Sequence, residues 1–163
     1  MGNMEKEKDY IHIMVESLQK KKKILSQIIE MNKQQKILLQ DANLSPEELE
    51  KNMVYKGNLV EQLNLLDSGF EKLFDRVRMV MQQNKVQYAD EIRQMQELIK
   101  EITAQTNTIQ TQEIRNREEA TRKFVGVRQQ VKGVRNSQKV VKQYYQNMMS
   151  QKNTMACVVD DKK

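Results

Sequence analysis

"DANLSPEELEKN", residues 41–52, is the stretch on which the fold turns. It holds the chain's one proline, Pro46, directly after Ser45 and directly before Glu47 and Glu48. A serine oxygen accepts from the free N–H groups of a helix start. Proline fits the first turn, where its missing N–H is not needed, and acids suit the positive end of the helix dipole. A helix therefore starts at residue 46, and residues 41–45 connect it to whatever lies upstream.

Upstream, Ile11, Met14, Val15, Leu18, Leu25, Ile28 and Ile29 recur at helical spacing, closed by Ile37 to Leu39. "QKKKKIL", residues 19–25, interrupts that stripe where Lys21 or Lys22 would face inward. The expectation is a solvated face, with lysine stems laid along the bundle. Downstream, Leu49, Met53, Val60, Leu63, Leu66, Phe70, Leu73, Val77 and Met81 form a stripe close to a 3.5-residue period. Gly57 and Gly69 lie off it.

A single helix from Pro46 onward would exceed ~100 Å at 1.5 Å per residue. A turn is expected near Asn84, within "MQQNKVQYADE" at residues 81–91. A third helix then carries Ile92, Met95, Ile99, Ile102 and Ile109, continuing through Glu113, Asn116 and Ala120 in a 4-3-4 pattern. A second stripe follows, Phe124, Val127, Val131, Val134, Val141, Tyr145 and Met148. The two are out of phase, joined by a stutter of four residues near Ala120.

The fold expected is all-α: three long antiparallel helices near 4–40, 46–83 and 86–150, a helical hairpin or coiled-coil bundle with an extended C-terminal helix. Residues 1–150 form one domain, and 151–163 form a flexible tail too poor in apolar residues for a core of its own. The third helix would outrun the first two by roughly 40 Å, about 27 residues. Three coverings suit that surplus. The helix bends back into a four-helix bundle, two chains pair through it, or it takes another protein's amphipathic helix.

Charge is unevenly placed. The net charge is +6, yet no Asp or Glu occurs from Ala120 to Val159, while Arg122, Lys123, Arg128, Lys132, Arg135, Lys139, Lys142 and Lys152 are all basic. Such a segment suits an acidic protein, nucleic acid or an anionic surface. Catalysis finds no support. The sole histidine, His12, is expected to be structural on an apolar helix face, and Cys157 sits in the tail with no histidine beside it. One cysteine excludes an internal disulfide. "MGNMEKEKDY" lacks the apolar core of a signal peptide, and no apolar run approaches the ~20 residues that span a bilayer. A non-enzyme in the cytoplasm, with no cofactor or metal, is the expectation.

"YKGNLVEQLNLLDSGFEKLFDRVR" (55–78), "YADEIRQMQELIKEITAQTNTIQTQEIRNR" (88–117) and "VRNSQKVVKQYYQ" (134–146) together resemble the bacterial flagellar export chaperones of the FlgN family, over about Tyr10 to Asn147. The resemblance implies a cytoplasmic chaperone without cofactor. Such a protein holds the terminal helix of hook–filament junction proteins, prevents premature assembly and delivers them to the type III export apparatus. Carried onto this sequence, it makes Phe124, Val127, Val131, Val134, Val141, Tyr144, Tyr145 and Met148 the client contacts. Arg128, Lys132, Arg135 and Lys139 are read as steering an acidic client face. A monomer or weak dimer leaves that stripe free. The alternatives are a structural coiled-coil homodimer and a basic helix for nucleic acid or a membrane surface.

Overall fold

The computed structural model describes residues 2–124, together with Lys139 and Gln143. It is all-α, with α1 at Gly2–Gln40, α2 at Pro46–Gln83 and α3 at Ala89–Lys123, and no strand among the described residues. The break at 41–45 forms as its chemistry requires. Ser45 is extended (φ −81°, ψ 114°), its Oγ accepts from the Glu48 N–H at 3.4 Å, and Pro46 opens the helix. Asp41 Oδ1 accepts from the Asn43 N–H at 2.9 Å, a side-chain turn that needs no glycine. The second turn also falls where expected. Asn84 ends α2, its side-chain amide donating back to the Val80 carbonyl at 3.1 Å, and α3 starts three residues later than residue 86.

Chain direction follows from the cross-helix hydrogen bonds. Between α1 and α3 the bonded residues stay a near-constant 79 to 84 positions apart, from Gln105–Ser26 to Lys123–Leu39, so the two helices run parallel. Between α1 and α2 the separation shrinks from 66 at Tyr10–Arg76 through 46 at Lys21–Asp67 to 21 at Met31–Asn52. That pair is antiparallel. The bundle is up–down–up, with α2 and α3 both laid along α1.

The core follows the sequence stripes, with informative exceptions. Ile11, Met14, Leu18, Leu25 and Ile28 of α1 meet Val60, Leu63, Phe70, Phe74 and Val77 of α2 and Ile92, Met95, Ile102 and Ile109 of α3. Phe70 and Phe74 stack with ring centroids 5.9 Å apart. Leu66 and Leu73, expected inside, are half-buried, because the seam passes through Asp67 and Phe74 instead. Ile37 is 67 % exposed, while Leu39 is the residue that closes α1's stripe. Lys21 is no solvated lysine either. It is buried and pairs with buried Asp67 at 2.9 Å, whereas Lys22 lies near the surface against Glu101 at 2.7 Å.

The largest departure concerns α3. Expected near 86–150, with a bend back as one option, it ends at Lys123, where Phe124 leaves helical geometry at φ −105°, ψ 16°, and residues 125–138 lie outside the described residues. Its 35 residues match the 39 of α1 and the 38 of α2, so the described bundle has no 40 Å overhang. The stutter read near Ala120 falls at this end, and Phe124, four residues on, packs with Ala120, Leu39, Leu49 and Met53. Lys123 marks the level finish, its Nζ donating to the Leu39 carbonyl at 3.2 Å and to the Asp41 carbonyl. A lysine on the last carbonyls of a neighbouring helix satisfies acceptors that the helix itself leaves open.

Candidate functional site

Three features converge at the end of the bundle where α1 turns into α2 and α3 stops. The first is a small apolar cluster of Leu39, Leu49, Met53, Ala120 and Phe124, backed by Leu38 and Leu44. Phe124 is 7 % exposed here, and its N–H donates to the Ala120 carbonyl at 3.0 Å. It is therefore a core residue of this end, not an open client contact, which corrects the reading of the sequence. Of the other assigned positions, Lys139 is helical and exposed. Val127, Val131, Val134, Val141, Tyr144, Tyr145 and Met148, with Arg128, Lys132 and Arg135, lie outside the described residues, as does the tail from 151 to 163.

The second feature is a buried polar layer that separates this cluster from the main core. Lys56, 2 % exposed, sends its ammonium to Asn32 Oδ1 at 2.9 Å, to Gln35 Oε1 at 3.3 Å and to Glu113 Oε1 at 2.5 Å. A lysine ammonium has three protons to donate, and all three are placed. Around it, Asn32 Nδ2 donates to Gln112 Oε1 at 3.2 Å, and Asn116 Nδ2 donates to the Asn32 carbonyl at 2.9 Å and to Gln35 Oε1 at 3.1 Å. All three helices contribute. The 4-3-4 step that places Ile28 inside lands next on Asn32, Gln35 and Leu39, and the gap between Met53 and Val60 holds Lys56. Those spacings were the signal, and residue type hid it.

The third feature is an open groove of about 470 Å³ between α1 and α2. Met31, Ile37, Leu38 and Tyr55 give it apolar walls, with Gln34, Glu48, Lys51 and Asn52 as its polar lining. Ile37 and Tyr55, at 67 % and 51 % exposure, are large side chains left in water. Asn52 is buried and donates to the Met31 carbonyl at 3.0 Å, while its own Oδ1 has no partner among the described residues.

This end has the makings of a binding surface. No group of three His, Cys, Asp or Glu with metal-holding geometry occurs among the described residues. His12 is not on the apolar face expected for it: its side chain is 74 % exposed, 3.2 Å from Glu16 one turn on. Among the described residues no helix is long and apolar enough to cross a membrane. Comparison with protein-family models, with curated proteins and with solved structures finds no match for the chain.

Proposed function

We propose that this protein is a cytoplasmic export chaperone of the bacterial flagellum, a monomer or weak dimer without cofactor. It holds the terminal helix of a hook–filament junction protein, keeps it from assembling early and delivers it to the type III export apparatus. The observation that carries this reading is the finish of α3. With Phe124 packed on Leu39, Leu49 and Met53, the described helices cover one another's stripes. The acid-free stripe from Val127 to Met148 is then additional to those seams, and an amphipathic helix from a client suits it by helix-in-groove docking. The resemblance to FlgN-type chaperones in residues 55–78, 88–117 and 134–146 supplies the class of client.

Burying each larger apolar side chain yields roughly 1.5–3 kcal/mol, from which ordering and lost motion subtract. A complex in the micromolar range results, one that holds and releases without ATP. The test is Val131→Asp with Val134→Asp. The variant should lose capture of a purified junction protein, keep its helical circular dichroism and shift Tm by no more than about 5 °C. Global unfolding would assign the stripe to the protein's own core, and normal capture would place the client site elsewhere. Light scattering showing a tight, concentration-independent dimer would favour the structural coiled coil.

A further inference from the structure

We infer that the groove between α1 and α2 is a self-association surface, on which a second copy of this chain docks across a two-fold axis. This goes beyond the client reading above and does not depend on it.

Apolar side chains left in water define the surface. Ile37 on the α1 wall and Tyr55 on the α2 wall are 67 % and 51 % exposed, and Met31 and Leu38 beside them are half-buried. The groove therefore offers a hollow and two projecting side chains at once. A patch that holds both can pack on a copy of itself, as an isologous dimer requires.

Charge selects a copy of this chain over other occupants. The ionisable groups in the lining are one acid, Glu48, and one base, Lys51, so the groove walls carry no net charge. The two stand three residues apart on α2, a spacing at which helical neighbours meet, yet neither makes an ion pair among the described residues. Both remain open to an outside partner. A two-fold axis crossing α2 at right angles, midway between them, sets Glu48 against Lys51 of the second copy. By symmetry it sets Lys51 against the second copy's Glu48, with α2 antiparallel to its mate.

The surrounding charges fit a weak pair. On α1, Glu30 and Lys33 satisfy each other at 3.2 Å. Lys36, half-buried, and Asp41, exposed, stand on either side of Leu38, a second acid–base couple that the same axis exchanges. Glu47 and Glu50, both exposed, stay uncompensated and oppose the contact. Size acts in the same direction. Eight residues line the groove, against about 20–30 a side in a standard interface, so half-association on the order of 100 µM is expected.

The test is sedimentation equilibrium of the full chain from about 10 µM to about 1 mM, with reductant present so that Cys157 forms no link. The native chain should pass from monomer to dimer across that range. Glu48→Lys and Lys51→Glu, both at exposed positions, should each weaken the dimer about tenfold or more, by setting like charges opposite each other. An equimolar mixture of the two variants should associate as tightly as the native chain, because the two bases of one then face the two acids of the other. That recovery also shows that both variants fold. Ile37→Asp should abolish association, while Leu65→Asp, exposed and outside the groove, should leave it unchanged. A native chain that stays monomeric throughout overturns the inference, as do charge variants that associate normally or a mixture that fails to recover. Dissociation by Leu65→Asp would place the contact elsewhere, and assemblies larger than a dimer would make it head-to-tail; either result overturns it.

Discussion

The two ends of this bundle are held by different physics. Toward the turn between α2 and α3 the seam is apolar, with Leu25, Leu63, Val77 and Ile109 all fully buried. Toward the turn between α1 and α2, the same seam passes through Asn32, Gln35, Lys56, Gln112 and Asn116 before a last apolar cluster closes it. Apolar contacts are non-directional, so the first region stabilises the bundle yet tolerates neighbouring registers. The second does not. Sliding a helix by one turn would strand the Lys56 ammonium and leave Asn32 Oδ1 and Gln35 Oε1 without its protons. We attribute the register of the three helices to this layer, the best attested use of buried polar groups between helices.

Breaking the layer should have the largest effect. Lys56→Ala leaves the Glu113 carboxylate and Asn32 Oδ1 without the Lys56 donor and should cost about 3–5 kcal/mol by urea denaturation. Leu63→Ala, in the apolar region, should cost a comparable 2–5 kcal/mol through its cavity. A second substitution separates the two cases. Adding Glu113→Leu to Lys56→Met should recover much of the loss while leaving about 1–3 kcal/mol for the unserved amides. Full additivity of Lys56→Met and Glu113→Leu would show that the pair carries no coupling and would remove the basis for assigning it the register.

The Lys21–Asp67 pair gives an intermediate test, because it is a buried ion pair set inside the apolar region. Its side chains are 6 % and 9 % exposed. Lys21→Met alone should destabilise by about 3 kcal/mol, since it leaves Asp67 buried without its cation. Lys21→Met with Asp67→Leu should return to within about 1 kcal/mol of the native chain, apolar residues repacking where the main core already surrounds them. If the double variant stays as unstable as the single one, this pair too belongs to a wider network, and the contrast between the ends weakens.

What the sequence made legible divides along the same line. The break at Ser45–Pro46, the turn at Asn84 and most apolar contacts could be read, because caps and periodicity are local signals. The polar layer could not. Lys56 and Asn32 occupy stripe positions, but their types imply solvent, and only the mutual placement of three helices shows that each is satisfied inside. The seam through Asn116 and Ala120 was readable as a 4-3-4 pattern. The end of α3 was readable only as a stutter, since the same phase change suits a continuous helix that switches neighbours. The groove had no signal at all, because it depends on the angle at which Ile37 and Tyr55 leave two separate helices.

The smallest expected effect offers the finest comparison, since each region carries one glycine within α2. Gly57 follows Lys56 directly, and Gly69 lies between Asp67 and Phe70. A Cβ built on either meets nothing within 4 Å. Neither position needs the freedom of glycine for close packing, and each sits inside a regular helix where glycine costs roughly 1 kcal/mol against alanine. Gly69→Ala should therefore raise stability by up to about 1 kcal/mol, a Tm gain of roughly 2–4 °C for a chain of this size. Gly57→Ala should match it if helix propensity alone is at work. A gain at 69 with none at 57 would mean that the backbone beside Lys56 is already held in place by the ammonium's three acceptors. The polar layer would then govern main-chain freedom as well as register. A loss at both positions would show instead that α2 uses its glycines to bend along α1, and the propensity argument would fail at either end of the bundle.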